Sequence, residues 1–234
     1  MGFIARAFEH YAGLPHQKDA VAKLEGMLNP AQVAAFANTF SPKPKIATLS
    51  VPFYSQLDNT HAPLRTCNPS SCAMALEYLR PGAIKGDDNR LVRAFLDRRF
   101  DFTNHQQMTI VLRSFGCESV FRYDLSKEKL KDEIKSGRPV VIGILHNGPA
   151  ANPWGGHMVC AVGMDDDALV VHDPYGSLMN GYSGKASEGR FVRYPWEELE
   201  PRWLVEHPQS GWGRLFLPLT AKEPPDAHEL FRTA

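Results

Sequence analysis

Apolar positions recur at helical spacing along roughly the first half of this chain and at strand spacing after it. Residues 3 to 40 carry apolar side chains three and four apart, with Leu14-Pro15 breaking one helix and Asn29-Pro30 opening another around Val33, Phe36 and Phe40. The segment SPKPK at 41–45 cannot continue a helix and leads into Ile46 to Tyr54, which reads as a strand. From Pro69 to about Ser136 the period is helical again: Ala73, Leu76 and Leu79, then Leu91, Phe95 and Leu96, then Met108, Val111 and Leu112. A last helical stretch runs from Leu125 to Ile134, charged on its outer side. Beyond Gly137 the pattern changes. Pro139 to His146, His157 to Gly163 and Ala168 to Asp173 are short β-branched-rich runs, and Asp165-Asp166-Asp167 suits a hairpin turn between the last two. Helices followed by strands predict an α+β fold, with helices packed on a largely antiparallel sheet. The expected organisation is a helical preface and linker over 1–45, a main domain over 46–220 and a tail over 221–234, with no internal repeat.

Length and charge narrow the function classes. At 234 residues the chain can bury one sizeable core. Lys plus Arg and Asp plus Glu both number 26, so no global field recruits nucleic acid or an anionic membrane. The N-terminal MGFIARAFEHYAGLPHQ lacks the continuous apolar core and small-residue cleavage site of a secretory signal. Arg6 stands where a myristoylation motif needs Ser or Thr. The longest apolar runs fall well short of the ~20 residues that span a bilayer. Cytoplasmic synthesis without membrane insertion is therefore expected. Cysteines 67, 72, 117 and 160 form no CxxC pair, and free thiols are expected.

Candidate chemistry centres on Cys67, in TCNPSSCAMALEYL. Pro is tolerated in a helix only in its first turn, so Pro69 fixes a helix start and puts Cys67 at the positive end of the dipole. That position favours the reactive thiolate. Most cysteines are small buried hydrophobes, and the helix start together with suitable partners is what favours a chemical role here. A thiolate nucleophile needs a base and a group that orients the base. His157, in GGHMVCAV, lies at the start of an apolar strand behind two glycines, Gly155 and Gly156, that allow close approach. Asp173 ends the next strand in VVHDPYG, where antiparallel pairing brings it near His157; its alternative role is to cap the turn that follows. Gln56, in PFYSQLDN, has an amide that can donate to an oxyanion alongside the Cys67 backbone N–H. Asn68, Trp154 and Gly156 are candidate substrate contacts. No cofactor is required. Asp58 with Asn59, and Asp165 to Asp167, are candidate calcium ligands by carboxylate chemistry alone, without the spacing of an EF-hand loop.

These motifs resemble the bacteriocin-processing-peptidase-like group of cysteine peptidases with a papain-like fold. The resemblance rests on VPFYSQLDN, TCNPSSCAMALEYL, GRPVVIGILHNG, GGHMVCAVGMDDDALVVHDPYG and PRWLVE...SGW, and covers roughly residues 46 to 217. Asn68 stands where the group's nucleophile motif usually has Gly. With QLDN upstream and HDPYG downstream, the chain looks most like the peptidase domain of phage endolysins. The resemblance implies the order oxyanion Gln, Cys, His, Asp, carried here by Gln56, Cys67, His157 and Asp173. It further implies a peptidoglycan stem peptide or cross-bridge as substrate, with a leader-processing peptidase or an inactive peptide-binding module as alternatives. A monomer acting on the wall after release through a separate pore-forming protein completes that expectation.

Overall fold

The computed structural model describes residues 48–217, within a compact unit that begins at Ile46. The helical preface expected over 1–45 and the tail expected over 221–234 lie outside the described residues. Helix α1, Cys67–Leu79, is buried from Asn68 through Leu76. Small residues make that possible, because Ser70, Ser71, Cys72, Ala73 and Ala75 let neighbours approach from every side. Pro69 occupies the third helical position, where its missing N–H has no intrahelical partner to lose. At the other end the Arg80 N–H closes on the Leu76 carbonyl at 2.8 Å, and Pro81 follows. Helix α2, Asn89–Asp97, buries Leu91, Val92, Ala94 and Phe95, and helix α3, His105–Ser114, buries Met108, Val111 and Leu112. The Asn104 side chain caps α3 by accepting from the Gln106 and Gln107 N–H groups.

Six strands follow: β1, Ser119–Leu125; β2, Val140–Asn147; β3, Trp154–Met164; β4, Ala168–His172; β5, Val192–Pro195; and β6, Gly211–Phe216. They form one sheet in the order β1-β6-β2-β3-β4-β5, with every neighbouring pair antiparallel. Helix α4, Lys127–Lys135, lies between β1 and β2 in sequence, and helix α5, Trp196–Trp203, follows β5. The helical period expected from Leu125 begins two residues later, because Leu125 ends β1 and Ser126 caps α4 through the Lys129 N–H.

Side chains alternate between the faces of a strand, and the core divides accordingly. Val141, Met158, Cys160, Val162 and Val170 pack with α1, α2 and α3 on one side. Val140, Ile142, Ile144, Val159, Ala161, Leu169 and Val171 pack with Leu130, Ile134, Leu199 and Trp203 of α4 and α5 on the other. Asp165 makes the β3–β4 turn by accepting from the Asp167 and Ala168 N–H groups, at 3.1 and 3.0 Å. The strand expected over 46–54 does not form in its described part: residues 48–54 join no ladder. They are tied to the sheet by Leu49 N–H donating to the Val162 carbonyl at 2.7 Å, at the point where the β3–β4 register shifts, and by the His172 ring donating to the Val51 carbonyl at 2.8 Å. All four cysteines are free. Among the described residues no helix is long and apolar enough to cross a membrane.

Candidate active site

Cys67 is the first residue of α1 and is half-buried. Its sulfur meets two groups of β3: the His157 imidazole and the backbone N–H of Met158. Ser71, one turn further along α1, donates from Oγ to the Met158 carbonyl at 2.9 Å. Helix and strand are thus joined through both backbone polar groups of one residue, Met158. Burial works against a Cys67 thiolate, but the hydrogen bond and charge of His157 outweigh it, and the thiol titrates below its ordinary value. The helix start acts in the same direction.

His157 Nε2 lies 2.7 Å from Asp173 Oδ1, and both side chains are buried. The other ring nitrogen, Nδ1, therefore faces the thiol. Pairing explains the geometry. Cys160 opposes His172 in the β3–β4 ladder, so Asp173 follows one residue on, and His157 lies on the same face as Val159. Burial disfavours the imidazolium, yet the Asp173 charge and hydrogen bond, with a further contribution from Cys67, raise the His157 pKa to about 10. Gln56, in a short 3-10 turn at Gln56–Asp58, is buried and donates from Nε2 to the Pro63 carbonyl at 2.8 Å. That bond fixes which amide atom is nitrogen and leaves Nε2 a second proton. The Gln56 backbone N–H donates to the Pro174 carbonyl at 2.9 Å, which ties this turn to the residue after Asp173.

A family model described as the Peptidase_C39 like family matches residues 48–205. The chain belongs to this family. Membership makes it a cysteine peptidase, a hydrolase of the C39-like kind. Among solved structures it is similar to the crystal structure of a protein from Bacillus anthracis described as a C39-like peptidase, with 17% identity and a TM-score of 0.51 over 76% of this chain and 98% of that one. It is also similar to the crystal structure of a double glycine motif protease from an AMS/PCAT transporter in complex with the leader peptide, with 22% identity and a TM-score of 0.46 over 73% of this chain and 93% of that one. No curated protein matches. The papain-like α+β architecture expected from the motifs is the fold of this C39-like chain.

Other expected site residues part company with the cluster. Asn68 turns its side chain away from the cluster: it is buried, donates to the Phe102 carbonyl at 2.8 Å and accepts from the Cys72 thiol at 3.6 Å. At the second helical position that side chain is committed to the core. Trp154, at the start of β3, is 63% exposed and free to meet a ligand. The two glycines before His157 differ. Gly155 has φ +75° and a carbonyl that accepts from His146 Nδ1 at 2.8 Å, whereas a Cβ on exposed Gly156 would meet nothing. Asp58 is exposed, and Asn59 is buried with its amide donating to Thr66 and Ser70, both at 2.9 Å. Asp165 serves its turn and a two-pronged ion pair with Arg193. Among the described residues no three His, Cys, Asp or Glu side chains gather as a metal set.

Four further residues stand around the cluster without having been assigned a role from the sequence. His146 lies with its ring centroid 5.1 Å from that of His157. Tyr194 and Tyr182 both donate to Asp173 Oδ2, at 2.6 and 3.2 Å. Buried Arg202 of α5 donates to the carbonyls of Leu145 and Gly148, at 3.0 and 2.8 Å, and so holds the end of β2 near His146. His146 and Arg202 lie in the segments GRPVVIGILHNG and PRWLVE and Tyr182 and Tyr194 in none of the motifs, and the fold brings all four to this place. His172, beside Asp173 in sequence, has both ring nitrogens bonded elsewhere, to the Val51 carbonyl and the Phe191 N–H.

Proposed function

We propose that this C39-like peptidase cleaves peptide bonds through Cys67, and that its substrate is the stem peptide or cross-bridge of bacterial peptidoglycan. The observation that carries the chemistry is the buried His157–Asp173 bond of 2.7 Å, with the free ring nitrogen turned to a thiol at a helix start. The Cys67 thiolate attacks the carbonyl carbon of the scissile bond, and Gln56 Nε2 with a backbone N–H receives the oxyanion. His157 gives its Nδ1 proton to the leaving amine as the tetrahedral intermediate collapses to a thioester. Water, deprotonated by His157, attacks the thioester, releases the carboxylic acid and returns the thiol. Asp173 orients the ring and balances its charge.

The substrate assignment rests on the likeness of QLDN, TCNPSS and HDPYG to endolysin peptidase domains. In this reading the enzyme reaches the wall after a separate pore-forming protein releases it. Digestion of purified sacculi by wild type and by Cys67→Ala, with the released fragments analysed by mass, tests both parts. Wild type should release peptide fragments, and the folded variant none. Intact sacculi together with cleavage of a soluble leader peptide would replace the wall substrate with leader processing. Turnover that persists in Cys67→Ala would overturn the nucleophile assignment.

A further inference from the structure

Asp173 is the most heavily bonded side chain near the cluster. Oδ1 accepts from His157 Nε2 at 2.7 Å and from the Tyr175 backbone N–H at 2.9 Å. Oδ2 accepts from the Tyr194 and Tyr182 hydroxyls at 2.6 and 3.2 Å. An ionised carboxylate offers about four lone-pair positions, and four donors fill them here. Rotation about its last bond would break them together, so the carboxylate plane is locked. The His157 ring, bound to one of those oxygens, inherits that orientation.

The two phenols differ in what holds them. Tyr194 is fully buried on β5, and its register opposite Leu169 puts it on the same face of the sheet as Asp173. Its oxygen accepts from the Leu178 N–H at 3.0 Å, which leaves its proton for Asp173. Tyr182 comes from the loop between β4 and β5 with φ +59°, a left-handed backbone that is strained for a non-glycine residue. That conformation brings its ring edge-on to His157, with centroids 6.0 Å apart, and to His146 at 5.8 Å. Strain of this kind persists only where surrounding contacts over-determine it, and here those contacts include the imidazole and its carboxylate, the Tyr175 ring at 5.0 Å and the Ser177 carbonyl, which accepts from the Tyr182 N–H at 2.9 Å.

We propose that Tyr182 and Tyr194 are positioning residues of this peptidase, whose hydroxyls jointly fix the Asp173 carboxylate and thereby set the alignment and proton affinity of His157. The proposal rests on the assignment of Cys67, His157 and Asp173 given above. Burial, then the Asp173 charge, hold both phenols well above their ordinary titration range, so they stay donors wherever the enzyme works. The groups facing the His157–Asp173 pair are Cys67 from α1, His146 from β2, Tyr175 after β4, and the two phenols; Arg202 from α5 acts by charge on His146 and Tyr182.

The sign follows from where the charge resides. When His157 is protonated, the imidazolium shares the carboxylate's charge; when it is neutral, the remaining donors carry that load alone. Removing a phenol hydroxyl therefore destabilises the deprotonated pair more, and the imidazole becomes a stronger base and a poorer acid. Proton delivery to the leaving amine slows.

The test is the pH dependence of Cys67 alkylation by iodoacetate, an anionic reagent whose rate falls when the imidazolium is lost, in wild type, Tyr194→Phe and Tyr182→Phe. The alkaline limb should move up by about half a pH unit or more in Tyr194→Phe and less in Tyr182→Phe, and kcat should fall about 5- to 30-fold with KM within about twofold. A phenol that merely packs would leave that limb in place. Unchanged limbs in both variants, beside a wild type with both acid and alkaline limbs, overturn the proposal and leave the peptidase assignment standing. A wild type that alkylates with one limb near an ordinary thiol pKa overturns the underlying assignment, and this proposal with it. Tyr182→Phe changes a partly exposed residue and keeps the test decisive should Tyr194→Phe not fold.

Discussion

Ser71 Oγ donates to the carbonyl of Met158 at 2.9 Å, and the N–H of the same Met158 reaches the Cys67 sulfur. One residue of β3 thus holds two residues of α1 that lie a turn apart, and it is the neighbour of His157. The bracket ties the helix start that carries Cys67 to the strand start that carries His157.

Ser71→Ala removes one arm of the bracket without adding bulk. Loss of a buried hydroxyl-to-carbonyl bond costs about 1 kcal/mol, which lowers Tm by a few degrees in a domain of this size. The alkylation rate of Cys67 at neutral pH should fall several-fold more than this small destabilisation explains. Thermal unfolding and iodoacetamide kinetics on the same sample check it; unchanged kinetics would show that packing alone sets the distance between thiol and imidazole.

Asp173→Asn keeps the shape of the side chain and removes the charge that raises His157 to about 10. A base with a raised folded pKa adds stability in full below its unfolded value near 6.5, and loses it as pH rises through 10. The wild type should therefore lose stability between these limits. In Asp173→Asn that slope should flatten, the alkaline limb of activity should move down, and kcat should fall by about 10²–10⁴. Urea midpoints at pH 6, 8 and 10 measure the first effect, and a pH–rate profile the others.

Which parts of this arrangement the chain announces depends on whether local pattern or distant pairing decides them. Helix α1 was readable because Pro69 and Pro81 bracket it, and β2, β3 and β4 because their β-branched runs are buried on both faces. Strand β1 was not, since Phe121 to Asp124 turn mostly outward and only Ser119 and Leu125 are fully buried. Strand β6 breaks the pattern with Gly211, Gly213 and a buried Arg214 that bonds Thr109, Ser119 and the His105 carbonyl. Its partners β1 and β2 lie far away in sequence. The same division runs through the site. Cys67, His157, Asp173 and Gln56 lie in local motifs, whereas Tyr182 and Tyr194 arrive by tertiary folding. Asn68 follows Cys67 in sequence, yet its side chain points into the core, because successive side chains on a helix face different directions.

Gly189 and Gly156 make a matched pair of alanine tests. A Cβ on Gly189 would overlap the carbonyl oxygens of Asp173 and Gly176, while one on Gly156 would meet nothing. The Gly189 carbonyl also accepts from the Asp173 N–H at 2.8 Å. Gly189→Ala should push the Asp173 turn aside, costing about 2 kcal/mol or more and most of the activity. Gly156→Ala should fold as well as wild type, and any effect it has should appear in KM. Equal behaviour of the two variants in unfolding and hydrolysis assays would contradict this reading of the Asp173 turn.

His172 supplies the acid limit of the fold. Its Nε2–H donates to the Val51 carbonyl at 2.8 Å and its Nδ1 accepts from the Phe191 N–H at 3.0 Å, a pairing that requires the neutral ring. Burial pushes its pKa down to about 4. A base with a depressed folded pKa holds its full stabilising share above the unfolded value near 6.5, and that share drains away as pH falls toward 4, by roughly 3 kcal/mol over the whole interval. His105, also lowered to about 4, adds a parallel loss, so the comparison must be between proteins that differ at residue 172 alone. His172→Gln offers an amide in place of the ring and does not titrate. Urea unfolding at pH 7 and pH 4.5 should show a smaller acid-induced drop in the variant than in wild type, even where the variant starts less stable. Equal drops would mean that residue 172 does not couple protonation to unfolding, and that the acid sensitivity arises at His105 or among the carboxylates.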